Sequence, residues 1–346
     1  GWVMEYYVGK DYSLGGITLL CKFDGQRVTM ASQIAGADET VSSLYSVKSE
    51  QATMLSFDTY NYLVHYFGQP QGSMADDPNG TLGGDYEFVI SDATADRIEL
   101  KGKKYGNRIV MKAFSADQTW KQYLTRIKKV EDDAFFYEYD LRMDGLYTGQ
   151  MLRSNYTFIV TYYDEVGKVH QKTVPFMFTT DGMRFHEPVT IDGQTMQNFV
   201  WKNEEISFVC TDEGATEVKL AGVYTAGYQS YDYYPGTYQM DFYRLNDATN
   251  QMEVASQEIQ LVKDEDGKSY WLKGLEYDIL VTYDKPRGGL SILPQFLKKV
   301  QGGYVYLAMW DLMNDYVLRS SAIGLISYPT TDGIYLVDNG GWMGGI

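Results

Sequence analysis

The sequence predicts an all-β protein made of several antiparallel units, and three observations carry that expectation. Apolar and polar residues alternate in short runs broken by turn residues, the pattern antiparallel strands leave in a sequence. Tyrosine occurs 31 times, and its ring suits a half-buried pleated surface. Asp-Gly pairs stand at 24–25, 181–182, 266–267 and 332–333, and this dipeptide closes tight hairpins because it tolerates positive φ. A chain of 346 residues exceeds the usual size of one domain, so two or three are expected.

In residues 1–114 extended runs are expected at 2–8, 16–23, 27–30, 44–48, 54–58, 86–90, 97–101 and 108–112. About eight short strands with close connections suit an up-and-down barrel of calycin or lipocalin type. The segment 69–84, QPQGSMADDPNGTLGG, reads as its loosest connection. Residues 115–130 form the best helix candidate. Ser115 and Gln118 have the form of a capping box, and Trp120, Tyr123, Leu124 and Ile127 recur every three or four residues. Residues 115–132 are therefore expected as a helical connector. The β pattern then resumes, with a long hairpin over 156–179, an antiparallel β domain over 133–213 and a C-terminal antiparallel barrel or sandwich over 214–346, these last two joined or separate. With so few helices, α/β folds with nucleotide crevices are disfavoured.

Thirty basic residues against 46 acidic ones give a net charge of −16, which repels phosphate backbones and anionic lipid and argues against nucleic-acid binding. The longest uncharged apolar run, around 302–310, falls far short of the ~20 residues of a membrane-spanning helix. The chain opens Gly-Trp without an initiator Met, so removal of an N-terminal segment is expected. Cys21 alternates with Ile17, Leu19 and Phe23, and Cys210 with Ile206 and Phe208, so both read as core residues. A disulfide between them would require an oxidising compartment.

Motifs for catalysis are sparse. No Gly-x-Ser-x-Gly elbow, phosphate loop or dinucleotide fingerprint is present. In His186-Glu-Pro the proline blocks the helix a zinc-protease motif needs. His170 alternates with Lys168 and Lys172 and is expected on a solvent face. Asp264-x-Asp266-Gly267 and Asp76-Asp77-Pro78-Asn79-Gly80 look like halves of calcium loops, but turn chemistry explains both. No metal and no cofactor is expected.

Two aromatic groups remain as candidate ligand contacts. His65 lies among Tyr60, Tyr62, Tyr66 and Phe67, so it is either a contact at a barrel mouth or a hydrogen-bonded histidine in an aromatic cluster. Tyr228, Tyr231, Tyr233 and Tyr234 lie in GYQSYDYYPGTY. They would either stack on sugar rings or fold the loop back onto a core.

The phrases Leu55-Ser-Phe-Asp-Thr-Tyr-Asn-Tyr-Leu-Val-His-Tyr-Phe67, Gly84-Asp-Tyr-Glu-Phe88 and Leu100-Lys-Gly-Lys-Lys104 resemble domain-of-unknown-function family 4302, a group of Bacteroidetes lipoproteins. Gly1-Trp2, Tyr6-Tyr7 and the Phe23-Asp24 hairpin resemble its opening. The resemblance implies an exported protein, lipid-anchored at the outer membrane through a cysteine outside this sequence, and implies no catalytic residues. The expected function is a non-catalytic binding accessory to uptake of a glycan or peptide nutrient, with glycan or outer-membrane uptake proteins as partners. The alternatives are a carboxylate-dependent hydrolase and a structural module of an outer-membrane assembly.

Overall fold

The computed structural model describes residues 1–49, 52–70, 80–164, 166–246, 248–311, 316–318, 322–330 and 333–340. The chain forms two compact units, Gly1–Val223 and Tyr224–Ile346.

The first unit opens with a closed eight-stranded antiparallel barrel of β1 (Trp2–Val8), β2 (Gly15–Asp24), β3 (Arg27–Ser32), β4 (Val41–Ser49), β5 (Thr53–Phe57), β6 (Glu87–Ala93), β7 (Arg97–Gly102) and β8 (Arg108–Ala113). Each strand pairs with the next, and β1 also pairs with β8 to seal the cylinder. Gly25, at φ 59°, closes the β2–β3 hairpin as the Asp-Gly signal implies. Between β5 and β6, past the run expected to end at residue 58, lies a helical turn, α1 (Tyr62–His65). The buried Asn61 side chain accepts from Leu63 N at 3.1 Å and caps it. Ile17, Leu19, Phe57 and Phe88 are buried inside the barrel, which is filled by its own side chains. A lumenal ligand is thereby disfavoured, and candidate sites lie outside.

The connector helix α2 runs from Trp120 to Asp133. Its capping box is Thr119 with Gln122, not Ser115 with Gln118: Thr119 Oγ1 accepts from Gln122 N at 3.2 Å, and Gln122 Oε1 from Thr119 N at 2.9 Å. Both quartets fit the capping pattern, but the later start buries Leu124, Ile127 and Val130 together. Leu124 covers Leu20 and Ala31 on the outer face of the first barrel. Lys128 Nζ donates to Gln33 O at 2.7 Å and Ala35 O at 2.8 Å.

A second closed barrel follows, made of β9 (Glu138–Met143), β10 (Leu146–Ser154), β11 (Thr157–Tyr163), β12 (Val169–Phe178), β13 (Gly182–Ile191), β14 (Gln194–Lys202), β15 (Ser207–Cys210) and β16 (Lys219–Val223). Its closing strand pairs with β9 and lies beyond the expected boundary at residue 213, because the sequence gives no sign that Lys219–Val223 returns to β9 rather than opening the next unit. Phenylalanines crowd its core, with Phe158 and Phe176 stacked at 4.4 Å. The two barrels touch closely. Gly15, at φ 71°, sits so near Tyr156 O that a Cβ there would come within 1.9 Å of it, so glycine is required on both counts. The barrel–barrel contact explains why Met4–Val8 is buried without a break: one face of β1 fills the first barrel and the other meets the second.

The second unit holds a seven-stranded antiparallel sheet, in the order β17 (Gly236–Asn246), β18 (Gln251–Lys263), β19 (Ser269–Lys273), β20 (Ile279–Asp284), β21 (Gly289–Ile292), β26 (Leu325–Pro329) and β27 (Ile334–Asp338). Two hairpins interrupt it, β22 (Gln295–Val300) with β23 (Gly303–Leu307) and β24 (Met309–Asp311) with β25 (Tyr316–Leu318). Asp266 closes the β18–β19 turn by accepting from Lys268 N at 2.7 Å and Ser269 N at 2.9 Å, as turn chemistry predicts. Asp76–Asn79 of the other calcium-like phrase and Asp332 of the last Asp-Gly pair lie outside the described residues.

Candidate functional site

In the first unit, an open groove of about 620 Å³ lies at the rim of the first barrel, lined by Lys48, Asp58, Tyr60, His65, Tyr86 and Glu87 among others. Its aromatic wall follows from α1. The cap holds His65 by one ring nitrogen, with Nδ1 3.2 Å from Asn61 N and 3.1 Å from Asn61 O. The imidazole then stacks on Tyr86 at 4.6 Å and an interplanar angle of 21°, and Tyr60 flanks it at 5.7 Å. Tyr60 is 59% exposed, so its ring is available to a ligand.

The groove also carries charge. Asp58 lies 3.8 Å from Lys48 Nζ. Burial pushes the Asp58 carboxyl up, but the Ser56 hydroxyl and Lys48 hold it below its ordinary value. A stacked aromatic pair beside an ionised carboxylate and an ammonium offers ring faces to C–H surfaces and hydrogen-bonding groups to hydroxyls. Tyr62 is not part of this wall. Its hydroxyl donates to Glu39, which raises its pKa to about 12, and its ring packs against the barrel core. Tyr60 and His65, singled out in the sequence, both line the groove, whereas Tyr86, not singled out there, lies 21 residues beyond His65 and meets it only through closure of β5 on β6.

The other predicted group, in the second unit, is a core. Tyr234 is fully buried and donates to Gly288 O at 2.8 Å. Tyr231 stacks on Tyr270 at 4.7 Å and donates to Ser269 O at 2.8 Å. Tyr270 returns a hydrogen bond to Tyr231 O at 2.7 Å, and Tyr283 donates to Gln229 O at 2.8 Å while its oxygen lies 3.1 Å from the Tyr228 hydroxyl. Phenol hydroxyls thus lash the 228–234 loop to the sheet, which corrects the ligand-contact reading for Tyr228, Tyr231 and Tyr234. Tyr233 alone of the four keeps a largely exposed ring. An exposed aromatic group the sequence did not suggest lies on the β22–β23 hairpin, where Phe296 is 5.6 Å from Tyr306 and 6.1 Å from Tyr304.

His170 is tied to Asp164 at 2.8 Å and stacked on Tyr162, in a hairpin rather than a site. Among the described residues no cluster of three or more His, Cys, Asp and Glu side chains has the form of a metal site, and no helix is long and apolar enough to cross a membrane.

Fold and groove together define a tandem antiparallel β-barrel protein followed by a separate β-sheet unit. The chain belongs to the family described as domain of unknown function (DUF4302), whose model matches residues 1–203, more than half of its length. A second model, also described as a domain of unknown function (DUF4987), matches residues 211–334. No curated protein and no solved structure matches the chain.

Proposed function

We propose that the protein is a non-catalytic binding module whose first barrel captures a neutral saccharide in the rim groove, as an accessory to nutrient uptake at the cell envelope. The observation that carries the reading is the His65–Tyr86 stack with Tyr60 beside it, opening onto Asp58, Lys48 and Glu87. Sugars present both the C–H faces that aromatic rings accept and the hydroxyls that carboxylates and ammonium groups bind. The groove's volume of about 620 Å³ lies within the usual range for small-molecule sites, about 300–1,000 Å³. Export and anchoring at the outer membrane belong to the same proposal and rest on the sequence resemblance.

The test is affinity electrophoresis of the full chain through gels containing neutral polysaccharides, with Tyr60→Ala and Tyr86→Ala alongside. Retardation by at least one glycan is expected, and loss of either ring should weaken it about tenfold, roughly 1.4 kcal/mol. The proposal fails if no glycan retards the wild-type protein, or if both variants are retarded as strongly as it is.

A further inference from the structure

A second recess, of about 230 Å³, opens where the two barrels of the first unit meet, and its charge runs against that of the chain. The inward positions of β1, β7 and β8 are taken by Met4, Ile98, Leu100, Ile109 and Met111, which turns Glu5, Arg97, Glu99, Arg108 and Lys112 outward. From the second barrel, β13 supplies Arg184 and His186. Here β13 leaves its ladder: pairing jumps from Arg184 with Asn198 to Val189 with Met196, and Pro188 has no N–H to offer. Gln197 Nε2 fills the gap by donating to Phe185 O at 3.2 Å and His186 O at 3.4 Å. Irregular pairing of this kind re-aims side chains, and it sets His186 against the rings of Tyr7 and Tyr12 at 4.3 and 4.0 Å.

Two of the carboxylates here, Glu99 and Glu5, are each shared by two cations. Glu99 takes Arg97 at 3.0 Å and Arg108 at 2.9 Å, while Glu5 takes Lys112 at 2.7 Å and Arg184. Burial holds His186 below its ordinary pKa, so it is counted as neutral. Arg97, Arg108, Lys112 and Arg184 set against Glu5, Glu99 and Glu187 leave one positive charge, four minus three, in a chain of net charge −16. A second observation points the same way. The Tyr7 side chain lines the recess, is only 4% exposed, and its hydroxyl has no hydrogen-bond partner among the described residues; Arg184 lies alongside without the geometry of a hydrogen bond. A buried phenol without a partner is costly unless a ligand completes it.

We propose that this recess binds a small monoanionic ligand through its carboxylate, with Arg108, Lys112 and Arg184 supplying charge and the Tyr7 hydroxyl a hydrogen bond. One surplus charge matches a carboxylate rather than a phosphate dianion, and a volume below about 300 Å³ restricts the ligand to a single sugar acid or amino-acid-sized molecule. The site is independent of the rim groove, sharing no residue with it.

The test is calorimetric titration of the full chain with D-glucuronate, N-acetylalanine, D-glucose and inorganic phosphate, repeated on Arg108→Gln and Tyr7→Phe. At least one of the two carboxylates should bind saturably, glucose should give no heat at this site, and the arm that binds distinguishes a sugar acid from a peptide-type carboxylate. Each variant should weaken binding, Arg108→Gln by tenfold or more, and higher salt should weaken it further. Arg108 is largely exposed, so its variant should unfold at the wild-type temperature without ligand, which separates loss of binding from loss of fold. The assignment is overturned if neither carboxylate binds at about 10 mM, if phosphate binds more tightly than both, or if the two variants bind as the wild type does.

Discussion

Arg184 of the second barrel is ion-paired with Glu5 of the first, and Lys112 holds the other oxygen of the same carboxylate at 2.7 Å. Glu5 is nearly buried, yet the two cations outweigh its burial and hold its carboxyl below the ordinary value of 4.5. The charge is therefore a structural tie between barrels. Glu5→Ala leaves the Arg184 guanidinium without its carboxylate and should cost about 3 kcal/mol, read from the urea midpoint of unfolding.

The same pair sets a pH dependence. A carboxyl that titrates lower in the folded state than in the unfolded chain contributes its full stabilisation above about pH 4.5, and that contribution fades as pH falls through the depressed folded value. The stability difference between wild type and Glu5→Gln should thus be constant between pH 6 and pH 8 and shrink on acidification below ~4.5. A difference that stayed flat down to pH 3 would remove Glu5 from the account.

Thr119 offers a local test of the connector. Its side chain and that of Gln122 satisfy each other's backbone N–H groups. Thr119→Ala should cost about 1 kcal/mol in thermal or urea unfolding, whereas Ser115→Ala, at the quartet the structure does not use as a cap, should stay within about 0.5 kcal/mol.

The cysteines give a third. Cys21 lies in β2 and Cys210 in β15, both free and buried. Burial pushes the Cys21 thiol up to about 12, and burial together with Asp212 leaves Cys210 at about 11. At pH 8 about one Cys210 thiol in a thousand is ionised, and fewer at Cys21. Native protein should react with a thiol reagent only as fast as it opens, and both thiols should titrate promptly in denaturant without added reductant. Recovery of fewer than two thiols there would point to a disulfide.

How far the sequence reached depends on the range of the interaction involved. Trp2–Val8 was legible to the residue, and so was the Asp24-Gly25 turn, because period-two patterning and positive φ are local properties. The Tyr62–His65 turn was hidden, since a four-residue helix shows no period and only the buried Asn61 cap defines it. Tyr60 and His65 could be singled out because they are neighbours in the chain, whereas Tyr86 joins them only through strand pairing. The charged recess left no trace in the sequence. Arg97, Arg108 and Lys112 come from two strands of one barrel and Arg184 from an irregular strand of another, so three-dimensional closure alone assembles them. In the tyrosine-rich loop the composition was visible but the hydrogen-bond acceptors were not, and those acceptors decide whether a phenol faces a ligand or a core.

That last distinction can be measured directly. Tyr234→Phe keeps the buried ring and removes the hydroxyl that bonds Gly288 O, a change that should cost about 1 kcal/mol. Tyr234→Ala leaves a cavity beneath the loop, beside the rings of Tyr270 and Tyr283, and should cost about 3–5 kcal/mol. Tyr233→Ala truncates a largely exposed ring that meets Tyr234 edge-on at 5.2 Å, and should cost under about 1 kcal/mol. Urea unfolding of the full chain ranks the three, and the expected order is Tyr234→Ala, then Tyr234→Phe, then Tyr233→Ala. A Tyr233→Ala variant as unstable as Tyr234→Ala would mean that the loop is held by its outer ring, and the phenol-to-carbonyl lashing would then not be what fixes it to the sheet.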